Sequence, residues 1–201
     1  ALAGFLTAQP PLLAGVATDW PATINFTQTE WQTWILRRAV NAAFRLGGEA
    51  HARAIAELSL RPSTPEAVRV EALETLGLWP NPPRRDRVVG LHRPLPPRDR
   101  EVARRALQLI WSRATGAGSP VPVLLAALRA GVALELPDLA LTMAALNTHT
   151  DPAVQEELRR LRELTGRVTV EDLIARLDSG SVASRQSAFA RLASAKDAKA
   201  V

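Results

Sequence analysis

The sequence predicts an all-α fold: a helical-repeat solenoid, or α-α superhelix, carrying one long proline-rich insert. Three observations predict it. Apolar residues recur at three- and four-residue steps almost throughout, the spacing of amphipathic helices. Nowhere do four or more residues alternate in the β manner between turn signals, 87–91 being the only doubtful stretch. One small-large-apolar pattern also returns in three helices, at intervals that suit stacked helix pairs. About four such pairs in a right-handed stack are expected, with no sheet beyond one short bridge.

The opening 1–17 is apolar, but it has no basic leading region and Pro10-Pro11 breaks it, so it reads as neither a targeting nor a membrane segment. Ala1 stands where an initiator methionine would, and the chain is expected to be processed or excised from something longer. Trp31, Trp34, Ile35, Ala39, Ala42 and Leu46 make one stripe, the expected core face of a first helix, which Gly47-Gly48 stops. A helix over 49–60 follows. Thr64 is placed as N-cap and Pro65 at the first position of a helix over 65–78 that buries Val68, Ala72, Leu73 and Leu76. Residues 79–97 hold six prolines and cannot form a regular helix. Helices resume at 98–113, 121–134, 138–146, 152–165, 170–177 and 182–195, with Asp138 and Asp151 suited to helix starts. The apolar run 121–146 is no membrane span, because Arg129, Glu135, Pro137 and Asp138 interrupt it. The repeat domain is assigned to 1–195, its insert to 79–98, and a flexible tail to 196–201.

Composition removes whole classes of chemistry. At 47% apolar and 22% charged, the 201 residues are neither disordered nor collagen-like. Without cysteine there is no disulfide scaffold, thiolate zinc site, cysteine nucleophile or Cys-x-x-Cys-His haem attachment. Lysine occurs only at Lys196 and Lys199, so no core P-loop or catalytic lysine exists. The formal charge of +5 is local: 81–105 holds Arg84, Arg85, Arg87, Arg93, Arg98, Arg100, Arg104 and Arg105 against Asp86, Asp99 and Glu101.

The repeating pattern aligns Ala72-Leu73 with Ala106-Leu107 and Ala188-Phe189, each with an apolar residue three positions after the large one (Leu76, Ile110, Leu192). Alanine admits a neighbouring helix and the large residues fill the adjacent groove. Arg69 and Arg185 each stand three residues before the alanine, where an arginine can reach carboxylates or turn carbonyls of an adjacent repeat. Residues 63–77, preceded by Ala54-Ile-Ala-Glu-Leu58, resemble a HEAT-repeat helix pair, and 170–178 with 182–192 resemble another. More narrowly, 34–47, 86–99 and 185–192 are similar to the HEAT region of large exported bacterial proteins. Those proteins place a glucose/sorbosone-dehydrogenase-like propeller before the repeats and a c-type cytochrome domain after them. The resemblance implies a helical segment between two redox domains, periplasmic or otherwise exported. Propeller strands and Cys-x-x-Cys-His are missing from this sequence, so no catalytic or haem residue carries over.

No assembled site stands out. His51, His92 and His149 lack metal-ligand spacing, and solvated or half-buried histidines are the expectation. Gly116-Ala-Gly118 lacks a preceding strand and reads as a turn. Glu156, Glu157 and Glu163 among Arg159, Arg160 and Arg162 read as a solvated, ion-paired helix face. Trp31 and Trp34 are expected in the core. Asn41, within an apolar run, is expected to tie helices together or fix a loop, because a buried amide must be bonded.

The insert is the one feature above background. Arg84, Arg85, Arg87, Arg93 and Arg98 form a candidate interaction patch, weighed as an ordered loop pinned by local salt bridges, a protein contact or a nucleic-acid contact. Within the insert, Val88, Val89 and Leu91 are expected to pack onto the helices while the arginines face solvent or pair locally. The leading expectation is a non-catalytic scaffold or protein-interaction module, with no cofactor, partnered by a protein or by neighbouring domains. The alternative is a nucleic-acid-binding repeat using 81–105, and a third is an enzyme built on the same scaffold.

Overall fold

The computed structural model describes residues 28–166, 173–174, 177–178 and 182–197. Among these the chain forms α1 (Gln28–Leu46), α2 (Glu49–Leu60), α3 (Glu66–Gly77), α4 (Arg100–Ala114), α5 (Val121–Ala133), α6 (Leu139–Ala145), α7 (Pro152–Leu164) and α8 (Val182–Asp197). A 3-10 turn, Leu146–Thr148, extends α6. Among the described residues there is no strand, only an isolated antiparallel bridge between Arg85 and His92 in the insert. No described helix is long and apolar enough to cross a membrane. Of the helix expected over 170–177, only 173, 174 and 177 are described, and they are helical. At the other end α8 runs on to Asp197, into the expected tail.

Helix boundaries follow local chemistry. Gly47 (φ +72°) ends α1 in the left-handed conformation that costs other residues about 1–2 kcal/mol. Asp99 caps α4 by accepting from Glu101 N (2.9 Å), and Asp151 caps α7 by accepting from Ala153 N (2.8 Å). One expected cap differs. Pro65, not Thr64, is the N-cap of α3, because the proline's extended ψ places the first helical residue at Glu66. Asp138 starts α6 through its backbone, its carbonyl taking Thr142 N (3.0 Å), with no side-chain bond.

From α1 to α5, each helix packs on its neighbour and on its next-but-one neighbour. Contacts join α1 to α3, α3 to α5 and α5 to α7, while α2 lies against α4. The central helices therefore bury more than one face. α3 covers Val68, Ala72, Leu73 and Leu76 completely, and α5 covers Val123, Ala126, Ala127 and Leu128. At the α3–α5 crossing a Cβ on Gly77 would lie 3.3 Å from the Ala130 backbone, so the two helices meet over small residues.

Two sequence expectations fail on packing. α1 buries Leu36, Val40, Ala43 and Phe44 instead of the tryptophan stripe, which leaves Trp31 and Trp34 each 42% exposed and Ile35 and Leu46 exposed. Both stripes have helical spacing, and α2 and α3 receive the one rich in Val40 and Phe44. The self-alignment also crosses the layers. Ala72 lies on α3, which packs with α5, whereas Ala106 lies on α4, which packs with α2. A tight alanine beside a large residue suits any helix packed on two sides, so the pattern does not tell the first helix of a pair from the second. In the third copy Ala188 is buried but Phe189 is 68% exposed.

Candidate functional site

The proline-rich insert is an ordered loop fixed at three points. At its start Trp79 is fully buried, with its ring edge-on to Phe44 of α1 (centroids 5.7 Å apart). At its middle Asp86 is only 4% exposed. Its Oδ1 accepts from Val88 N (2.9 Å), Val89 N (3.0 Å) and the Asn41 amide (3.0 Å). Its Oδ2 faces Arg45 (3.6 Å) and Arg93 (4.0 Å). The Val89 N–H does most to hold this carboxyl below the usual carboxylate range; burial opposes it, while Val88 N–H, Asn41 and Arg45 assist. The bridge at Arg85 and His92 closes the loop around that anchor, with Asp86 N donating to Leu91 O (2.9 Å).

At its end Arg98 lies over two aromatic rings, its guanidinium carbon 5.1 Å from the Phe44 centroid and 5.1 Å from that of Trp79. It donates to Phe44 O and to Arg45 O (2.9 Å), the terminal carbonyls of α1. Burial and the nearby Arg45 charge lower its pKa. A side chain at Gly47 would meet this guanidinium at 3.3 Å, a second reason for glycine there.

The candidate patch therefore divides. Arg98 is an anchor, and Arg87 is half-buried, bonded to Glu74 (3.2 Å) and Thr75 (3.3 Å) of α3. Arg93 is exposed beside Asp86. Arg85 reaches Gly90 O (3.2 Å), and Arg84 is exposed without a carboxylate partner among the described residues. Beyond the loop, Arg100 pairs with Glu135, Arg104 with Glu101 and Arg105 with Glu49. Most of the positive charge on 81–105 is thus met inside the fold. The expectation fails for two of the three apolar residues: Leu91 is 60% exposed and Val89 is exposed, while Val88 is half-buried. Asp86 and Arg98 do the anchoring that Leu91 was expected to do, since a tight loop bends its polar backbone inward where a buried carboxylate can satisfy it.

Asn41 ties α1 to the insert. Arg69 of α3 donates to Ser59 O (2.8 Å) at the end of α2, so it stitches the turn within its own pair. Arg185 on α8 is exposed and shares no bond with a described residue. His51 bonds its ring nitrogen to Gly47 O, His149 accepts from Asp151 N (3.1 Å), and His92 is exposed. Ser119 N donates to Gly116 O (2.9 Å), a turn. Among the described residues no three His, Asp or Glu side chains assemble as a metal site. Glu157 is a correction: it is buried and takes Arg129 of α5 through both oxygens (2.7 and 2.9 Å). That bond lowers its pKa against the opposing effect of burial.

Sequence reasoning missed Arg45 and Phe44 as partners of the insert, and Trp79 as its buried anchor. A signal was present, because Asn41 and Arg45 stand four residues apart on one face of α1. Asp86-Arg-Val88-Val89 also has the form of a turn in which aspartate accepts from the next backbone amides.

Two hollows mark the surface. One, of about 210 Å³, lies between α1 and the insert and is lined by Trp34, Arg37, Arg38, Arg87 and Val88. The other, about 450 Å³ and open, lies between α2 and α4 over Glu49, Arg53, Arg105, Gln108 and Leu109. Its arginines are paired, Arg53 with Glu57 and Arg105 with Glu49. Comparison with protein-family models, curated proteins and solved structures finds no match.

Proposed function

We propose that the chain is a non-catalytic HEAT-like solenoid, a scaffold or protein-interaction module within a larger exported redox protein. The observation that carries this reading is the next-but-one packing, α1 on α3 on α5 on α7 with α2 on α4. Helices stacked in that order build an extendable surface. The arginine cluster supports the same reading, because Arg87, Arg98, Arg100, Arg104 and Arg105 are engaged within the fold. A nucleic-acid reader needs such cations free for phosphates.

Two measurements test this. The residues encoded on either side are expected to be a propeller upstream and a Cys-x-x-Cys-His domain downstream; neither being there removes the redox placement. Fluorescence anisotropy with labelled oligo-dT and a short duplex is expected to find no binding at physiological salt. Tight binding lost on changing Arg84, Arg85 and Arg87 to glutamine would replace the scaffold with a nucleic-acid reader.

A further inference from the structure

The groove between α1 and the insert brings cationic and apolar side chains together. Its lining holds three guanidiniums and no carboxylate, with the Trp34 indole and the Val88 side chain as apolar walls. Two of the arginines are held from behind, Arg37 by Glu71 of α3 and Arg87 by Glu74. Arg38 is exposed and no described carboxylate pairs with it. Val88 is fixed through its N–H on the buried Asp86. The walls are therefore in place before anything binds, which lowers the ordering cost of association.

From this geometry, and resting on the interaction-module reading, we infer that the groove docks an acidic segment of a partner protein. One apolar side chain of that segment lies against Trp34 and Val88, and a flanking carboxylate lies on Arg38. Size favours this occupant. About 210 Å³ is below the range of small-molecule sites, roughly 300–1,000 Å³, yet gives room to a single large side chain. Tryptophan and arginine are also the residue types that dominate binding hot spots. Charge sets the sign of the partner, because Arg37 and Arg87 are neutralised by Glu71 and Glu74 while Arg38 keeps its charge, which attracts acidic segments and repels basic ones. Nucleic acid fits less well: Trp31 and Trp34 stand edge to face at 66°, which gives no pair of parallel platforms for successive bases.

The test uses the full chain and a fluorescein-labelled peptide of aspartates and glutamates around one central phenylalanine. A serine-centred version and labelled oligo-dT run beside it. Saturable binding of the first peptide is expected, weakened about tenfold or more by Arg38→Glu and by the serine change. Trp34→Ala should weaken it too, and Arg84→Gln, outside the groove, should not. Circular dichroism on each variant separates lost binding from lost folding, and Arg38→Glu, at an exposed site, keeps the test valid if Trp34→Ala unfolds. No saturable peptide binding, or binding indifferent to Arg38→Glu, overturns the groove alone and leaves the scaffold reading intact. Oligo-dT bound more tightly than the peptide overturns both.

Discussion

Asp86 shows how one side chain can hold a loop that has no helix or sheet of its own. Three donors converge on Oδ1 and two guanidiniums face Oδ2. Removing the carboxylate strands two backbone N–H groups, the Asn41 amide and the Arg45 charge. Asp86→Ala is therefore expected to cost about 3 kcal/mol or more in urea unfolding at neutral pH, the range for breaking a buried charged pair. The same geometry sets a pH dependence. A folded-state pKa held below the unfolded value means the proton prefers the unfolded chain. The stabilisation is complete above the unfolded carboxylate pKa, about 3.9, and is lost as pH falls through the lower folded value. Glu157, lowered by Arg129, acts in the same direction. Wild type should thus lose stability as pH falls below about 4, and the gap between wild type and Asp86→Ala should narrow there. A gap that stays constant down to acid pH would refute the role given to the carboxylate.

At the scale of the helix, close approach decides more than propensity does. Gly131 lies inside α5, where replacing glycine with alanine ordinarily gains about 1 kcal/mol. Here a Cβ would stand 2.7 Å from the Trp111 ring and 3.3 Å from Leu139. That ring cannot yield cheaply, because its Nε1–H is bonded to Thr142 Oγ1 (2.8 Å). Gly131→Ala should therefore lower stability by about 1–3 kcal/mol, the usual cost of overpacking; a raised melting temperature would contradict the packing. Contacts of this kind are what the sequence does not display. The extents of α2, α3, α5 and α7 were legible to within a residue or two, because Gly47-Gly48, Pro65, Pro120 and Pro152 punctuate local apolar spacing. The buried face of α1 was not legible, since Trp31-Trp34-Ile35 and Leu36-Val40-Phe44 both satisfy helical spacing and only α2 and α3 choose between them. Of the site, Asn41 was legible as a polar residue within an apolar run. Glu157 was not, because its partner Arg129 lies on another helix.

Across the whole molecule, the insert is joined to both α1 and α3. Trp79 enters the core beside Phe44, Asp86 receives Asn41 of α1, Arg87 reaches Glu74 of α3, and Arg98 closes the end of α1. Such a loop should unfold with the helices rather than before them. Two substitutions separate this arrangement from a loosely attached loop. Leu91→Asp, at an exposed position, should change stability by no more than about 0.5 kcal/mol. Arg98→Ala removes two charge-assisted bonds to the terminal carbonyls of α1 and the cation lying over two rings. Bonds to charged groups contribute about 1.5–3 kcal/mol and a desolvated cation–π contact about 2. A loss of roughly 2–4 kcal/mol is expected once partial rehydration of those carbonyls is allowed for. The loss should fall on the single cooperative transition followed by far-UV circular dichroism and by tryptophan fluorescence, with the two probes coincident. If Arg98→Ala instead left the helical transition in place and added an earlier fluorescence change at Trp79, the insert would be a separate unit riding on the stack rather than part of its core.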